Sequence, residues 1–137
     1  MFEIKFVDEW KQGEIVKLYK AGGWWKDSYD SSSVNDLISG SFAFLVVVKS
    51  SNGKAVGMGR IISDGVSDAY FQDIIVLPDY RGIGLGSMIV KKLIDFCIGK
   101  GIYWIGLISE PGQNGFYLKN DFEVMKDYVP MKYRLEV

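Results

Sequence analysis

Arg81-Gly82-Ile83-Gly84-Leu85-Gly86-Ser87 is the stretch of this 137-residue chain whose residue types and spacing could do chemistry. Glycines at alternate positions let a backbone turn sharply and let a ligand come close. An amphipathic run follows from about Ser87 to Lys100, with Ile89, Leu93, Phe96 and Cys97 on one side and Lys91, Lys92 and Asp95 on the other. A glycine loop that opens a helix leaves several N–H groups without intrahelical partners, at the positive end of the helix dipole. The chemistry this predicts is anion binding, with phosphate the usual anion. The same glycines also fit a plain strand–helix turn that holds nothing. The loop is not the P-loop of nucleotide hydrolases, because no Gly-Lys-Ser/Thr follows. Its glycines alone would pass for a dinucleotide fingerprint, which usually sits in a first strand–helix unit with an acidic residue about 20 residues on. Here the loop lies past mid-chain, and 137 residues leave little room for a Rossmann domain plus a substrate domain.

Other reactive side chains are few. The sequence has no histidine, which excludes Ser-His and Cys-His catalysis and argues against a zinc site. Its one cysteine, Cys97, falls mid-helix on the apolar side and reads as core, not as an acyl-enzyme nucleophile. It also allows no internal disulfide. A net charge of −1 without a basic run gives no nucleic-acid footprint. No apolar run approaches the roughly 18 residues needed to cross a membrane. Met1 to Val7 alternates as a strand does, unlike a signal peptide. The expectation is one domain over residues 1–137 in the cytoplasm, since 48% hydrophobic and 15% aromatic residues suffice for a core.

The elements that must position the loop follow from periodicity and breakers. Phe2 to Val7 reads as a strand with Phe2, Ile4 and Phe6 on one face. Asp8 is a plausible N-cap for a helix to about Lys20, with Ile15, Leu18 and Tyr19 as its buried stripe and Gly22-Gly23 as its end. A short helix through Leu37 and Ile38 is predicted next, capped by Ser33 or Asn35 and closed by Gly40. Phe42 to Val48 and Ala55 to Ile62 form a hairpin around Asn52-Gly53. Asp64-Gly65 turns into Tyr70 to Leu77, whose unbroken apolar end predicts cover on both faces. Pro78 ends that ladder. Ile102 to Ser109 is the next strand and should run parallel to it. Pro111 to Asn120 reads as a short helix, and Phe122 to Val137 as one or two closing strands.

Val76 to Gly86, V-L-P-D-Y-R-G-I-G-L-G, resembles the acyl-CoA pyrophosphate loop of the GNAT superfamily of N-acetyltransferases. Val76 precedes Arg81 by five residues, as in that family's V-x-x-x-x-(Arg/Gln)-x-x-Gly-x-(Gly/Ala) pattern. Phe116 to Phe122, F-Y-L-K-N-D-F, is similar to its second signature, F-Y-x-K-x-G-F, with Asp121 at the usual glycine. The element order agrees over nearly the whole chain. The resemblance implies a mixed α/β fold: a splayed, twisted sheet of about six to seven strands with helices on both faces. Acyl-CoA would enter a gap between Tyr70–Leu77 and Ile102–Ser109.

The activity it implies is acetyl transfer from acetyl-CoA to a primary amine of a small molecule, by direct attack in a ternary complex and without a metal. By the same resemblance, backbone groups of Ile74, Ile75 and Val76 hold pantetheine and polarise the thioester. The N–H groups from Arg81 through Gly82, Ile83, Gly84, Leu85 and Gly86 to Ser87 take the pyrophosphate. Tyr117 matches the tyrosine that acts as general acid in many relatives, although a core tyrosine would read the same. A phenol titrates at about 10, so it keeps its proton at neutral pH. Relatives often carry a pantetheine-binding asparagine seven residues earlier, where this chain has Glu110; Gln113 or Asn114 would have to substitute. Phe116 and Lys119 of the second signature fall on the cofactor side with Asn114.

Without histidine, the general base must be a carboxylate or a water chain. Asp73, just before the pantetheine-binding residues, leads, a structural Asp being as good a reading, and Glu110 follows. Trp24, Trp25 and Tyr29 could wall the acceptor, since aromatic faces suit cations, or plug the core. Alternative readings are a protein N-terminal or lysine N-acetyltransferase and a CoA-binding module without turnover, for which Glu110 and Asp121 argue. A homodimer through the apolar closing segment Phe122 to Leu135 is also expected.

Overall fold

The computed structural model describes residues 1–135, which fall into two compact units, residues 1–107 and residues 108–135. The first holds a five-stranded mixed sheet. Its strands are β1 (Phe2–Phe6), β2 (Ala43–Lys49), β3 (Lys54–Ser63), β4 (Asp68–Val76) and β5 (Trp104–Leu107), ordered spatially as in sequence. β1 to β4 pair antiparallel, and β5 joins β4 in parallel after a helical crossover. The helices are α1 (Gln12–Ala21), α2 (Val34–Gly40), α3 (Leu85–Gly99) and, in the second unit, α4 (Asn114–Lys119).

The core is centred on β2 and β3. Phe44 to Val48 are buried without a break, because helices cover both faces there. α3 lies on one face through Ile89, Val90, Leu93 and Cys97. It comes close because β3 offers glycine: a Cβ at Gly59 would stand 2.9 Å from the Ile89 side chain and 3.2 Å from that of Leu93. The missing side chain at Gly59 thus makes the room that the helix fills. α1 lies on the other face, toward which Met58 and Arg60 point by alternation. Its buried residues are Ile15, Leu18 and Tyr19, as the periodicity predicts. On β1, Phe2 meets Tyr80 edge-on at 5.9 Å and Phe6 packs tilted on Phe96 at 4.9 Å. Cys97 is fully buried, and burial pushes its thiol up, which fits a core side chain.

Several expectations need correction. α1 starts at Gln12, not after an Asp8 cap. The Val7 N–H donates to the Phe44 carbonyl and the Trp10 N–H to Asn35 Oδ1, which commit the residues on both sides of Asp8 to contacts outside a helix. The first half of β4 alternates buried and exposed, so one face of it is open. Among the described residues the sheet has five strands where six to seven were expected, because residues 122–135 form no strand. Their sequence alternates, but alternation specifies a face and not a hydrogen-bonding partner. Val129, Met131, Tyr133 and Leu135 stand exposed. Glu136 and Val137, the end of that expected strand, lie outside the described residues.

In the second unit α4 closes on a motif that explains the second signature. Asp121 has φ 69°, and the Phe122 N–H donates to the Tyr117 carbonyl at 3.1 Å. This is a Schellman-type end: a left-handed residue, a bond back across five residues, and an apolar contact over it. The contact is the Phe122 ring on the Tyr117 ring at 5.8 Å. Glycine is usual at position 121 because the backbone is left-handed there. Aspartate is among the side chains that tolerate that conformation, so the departure keeps the turn.

Candidate active site

β4 and β5 pair only over Asp68–Phe71 with Trp104–Leu107. β4 then runs on through Gln72–Val76 with no strand beside it on that side among the described residues. A parallel pair that parts in this way leaves a row of backbone N–H and C=O groups free to take a ligand chain. Ile74 and Ile75 are half-buried along this row.

The glycine loop lies just beyond. Leu77 donates its N–H to the Val56 carbonyl, and Pro78–Tyr80 make one tight helical turn. Arg81 extends back, its Nε donating to the Val76 carbonyl at 2.8 Å. Its guanidinium thus ties the loop to the end of β4, a role the sequence does not announce. Gly82 and Gly84 have φ of 81° and 89°, which favour glycine. A Cβ at either would meet no protein atom within 4 Å, so both face open space. Leu85 is buried and anchors the first turn of α3. The first N–H that this helix satisfies is that of Met88, which donates to the Gly84 carbonyl at 3.1 Å. The N–H groups of Leu85, Gly86 and Ser87 precede it and point out of the helix start. Fifteen residues of α3 lie behind them and supply the dipole that favours an anion.

Asp73 has φ 60°, left-handed for a residue inside a strand. It lies in a bulge: Asp73 and Ile74 together oppose Gly59, between the pairs Arg60–Gln72 and Met58–Ile75. Its Oδ2 accepts from Arg60 Nε at 2.6 Å and from the Tyr19 hydroxyl at 2.8 Å. The Tyr19 phenol is pushed well above its usual value, first by burial and then by the Asp73 carboxylate. Tyr19 also touches Trp24 and Trp25, both at 6.3 Å between ring centroids, and Trp25 meets Tyr29 edge-on at 5.4 Å. The aromatic side chains expected as an acceptor wall and the carboxylate expected as a base are thereby joined through Tyr19. Sequence reasoning placed Tyr19 only in the buried stripe and overlooked Arg60. The available signal was a lone arginine in the otherwise apolar strand Ala55 to Ile62.

Tyr117 lies in α4 of the second unit, half-buried between Phe116 and Phe122. Burial pushes its phenol up, and the Glu110 carboxylate adds to the effect. Asn114 and Lys119 are exposed at opposite ends of α4, and Phe116 accepts from Asn120 Nδ2 at its carbonyl. A separate surface cleft of about 330 Å³ lies beside α1, lined by Glu14, Lys17, Lys54, Asp79 and Tyr80 among others. None of the expected site residues line it.

The chain is an α/β protein in which a glycine loop opens a long helix beside a parallel strand pair that parts. The profile described as "Acetyltransferase (GNAT) family" matches residues 7–122, and the chain belongs to that family. An uncharacterized N-acetyltransferase, ycf52, of Pyropia yezoensis is 31% identical over 109 residues, 80% of this chain and 63% of that protein. Serotonin N-acetyltransferase 2, chloroplastic, of Oryza sativa subsp. japonica is 36% identical over 80 residues, 58% of this chain and 40% of that protein. The chain therefore spans less than two thirds of the length of either relative. A solved GNAT-family acetyltransferase of Streptococcus pneumoniae TIGR4 superposes with TM-score 0.80 at 27% identity, covering all of both chains.

Proposed function

We propose that this protein transfers an acetyl group from acetyl-CoA to the primary amine of a small molecule. The reading rests above all on one observation: the outward N–H groups of the glycine loop lie at the end of the unpaired stretch of β4. A pyrophosphate at the first and a pantetheine chain along the second would place the thioester beside β4. Family members use acetyl-CoA. The amine attacks the thioester carbonyl, forming the C–N bond, and negative charge gathers on the carbonyl oxygen. A β4 N–H aimed at that oxygen stabilises it. Collapse breaks the C–S bond, the amine proton leaves to solvent or a carboxylate, and Tyr117 protonates the departing thiolate. The acceptor wall is assigned to Trp24, Trp25 and Tyr29. A relative named as a serotonin N-acetyltransferase supports an aromatic acceptor amine.

Calorimetry with acetyl-CoA is expected to give a Kd in the low- to mid-micromolar range. At a hundredfold excess over Kd the stabilisation is about 2.7 kcal/mol, roughly a 5–11 °C rise in Tm for a domain of this size. A silent titration together with an unshifted melt at millimolar acetyl-CoA would sink the proposal. Thiol release during a screen of amines, with arylalkylamines, amino sugars and peptides as separate arms, identifies the acceptor. Thiol release with peptide substrates only would favour the protein-acetylating alternative.

We also propose that two chains pair through the segment from Phe122 to Leu135, along which Val124, Val129, Met131, Tyr133 and Leu135 are exposed. Light scattering is expected to give twice the monomer mass. A monomer mass across a wide concentration range would remove the pairing.

A further inference from the structure

We infer that Arg60 and Tyr19 are positioning residues, which hold Asp73 and thereby keep β4 in its bulged form. The binding part of this inference rests on the acetyl-CoA reading above; its structural part does not. A left-handed aspartate inside a strand is strained and persists only where its surroundings over-determine it. Here the surroundings are explicit. Arg60 and Tyr19 both donate to one oxygen of Asp73, Oδ2, from a neighbouring strand and from a helix. Arg60 is fixed in turn, its Nη2 donating to Gln72 Oε1 at 3.1 Å and its Nη1 reaching Ser41 Oγ at 3.5 Å. The side chains of Arg60 and Asp73 are only 16% and 20% exposed, so the pair is screened less than a surface pair. Gln72 and Asp73, on either side of the point where the bulge begins, are thus both gripped by the same arginine.

The bulge decides what faces the gap. It makes Gln72 and Ile75 share the α1 face, while Ile74 reaches Gly59 on the α3 face. In a regular strand Gln72 and Ile74 would share a face, and Ile75 would oppose them. Backbone N–H and C=O groups alternate between the two edges of a strand in the same rhythm. Removing the extra residue from the ladder would therefore exchange the groups of Ile74–Val76 that face the gap for those now turned toward β3. On this account the Asp73 carboxylate is a strut, and what it secures is the choice of backbone groups that meet the acyl chain.

The test uses the full chain and four variants: Asp73→Asn, Arg60→Gln, Arg60→Lys and Tyr19→Phe. Asparagine tolerates the left-handed conformation and still accepts from both donors, but it gives up the charge that Arg60 faces, so Asp73→Asn is expected to raise the acetyl-CoA Kd by less than Arg60→Gln does and to move kcat no further than Kd. Arg60→Gln is expected to raise the acetyl-CoA Kd by about tenfold or more, with Arg60→Lys partly restoring it. Amide hydrogen exchange on the ligand-free protein should show Asp73 to Val76 exchanging faster in Arg60→Gln and, to a smaller extent, in Asp73→Asn. Tyr19→Phe removes a single hydroxyl and should show the same pattern more weakly. It carries the test if Arg60→Gln does not fold.

A loss of kcat of about a hundredfold or more in Asp73→Asn with unchanged Kd would identify a general base and overturn the strut. Unchanged affinity and exchange in Arg60→Gln, or in Tyr19→Phe where that variant stands in, would overturn it as well. Wild-type protein that fails to bind acetyl-CoA, yet shows the exchange pattern, would refute the functional reading and leave the strut standing.

Discussion

Gly84→Val is expected to abolish acetyl-CoA binding at concentrations where the wild-type protein saturates, with a Kd raised at least about a hundredfold, or ~2.7 kcal/mol. Gly84 caps α3 with φ 89° and ψ 5°. A β-branched residue is an outlier in that region, and the strain is of the order of 1–3 kcal/mol. The new Cβ would meet no protein atom, so the fold does not resist it sterically. The loop can relieve the strain by rotating its peptides, which swings the N–H groups of Leu85 and Gly86 away from a common focus. If it keeps its shape instead, the isopropyl group occupies space that a phosphate would need. Both routes end in lost binding, while Ile89, Val90, Leu93 and Cys97 hold α3 in place. A melting temperature only some 2–10 °C below wild type is the expected companion. Gly84→Asn separates the routes, because asparagine accepts the left-handed conformation but still fills the space. Loss of binding in both variants locates the effect in the space above the loop. A Gly84→Val protein that binds as well as wild type would take the pyrophosphate out of this loop.

The sequence made the loop and its helix legible because glycine, proline and amphipathic spacing are local signals. Pro78 ends β4's ladder, Gly82 and Gly84 take positive φ, and α3 buries Ile89, Leu93 and Cys97 as its period requires. The parallel crossover to β5 was equally readable, since a strand, a helix and a strand in succession have few arrangements. The Arg60–Asp73–Tyr19 cluster was not readable, because its members are 13 and 54 residues apart and meet only through tertiary structure. The bulge was hidden for a related reason. Gln72-Asp73-Ile74-Ile75 carries no glycine to advertise a left-handed residue, and its cause lies across the sheet in Arg60. The expected closing strands failed in the opposite way. Val129, Met131, Tyr133 and Leu135 alternate as a strand would, but the pattern records only that one face is apolar. Nor was the tie from Arg81 Nε to the Val76 carbonyl readable, since it depends on how the loop folds back on the end of β4.

Tyr117→Phe is expected to lower kcat by about a hundredfold or more, ~2.7 kcal/mol of barrier, with acetyl-CoA affinity nearly unchanged. The ring contacts with Phe116 and Phe122 do not involve the hydroxyl, and the carbonyl that caps α4 is backbone. Phenylalanine therefore preserves the helix and removes only the transferable proton. The sign of the pKa shift supports an acid and not a base. Burial and then the Glu110 carboxylate both favour the neutral phenol, so the proton is present throughout the neutral range. It is released only above the ordinary tyrosine value of about 10. The rate should accordingly show no alkaline fall attributable to Tyr117 below about pH 10, in contrast to an enzyme whose acid is a histidine or cysteine. Glu110→Gln removes one of the two contributions and is expected to bring the phenol back toward its usual value, moving any alkaline limb to lower pH. A tyrosine that serves only packing predicts another pattern: a stability loss of about 1 kcal/mol from a missing hydrogen bond, and turnover almost intact. Measuring kcat, Kd and Tm on one preparation of Tyr117→Phe distinguishes them. A lowered Tm with unchanged kcat would remove Tyr117 from the chemistry, leaving water to protonate the thiolate and positioning along β4 to account for the rate.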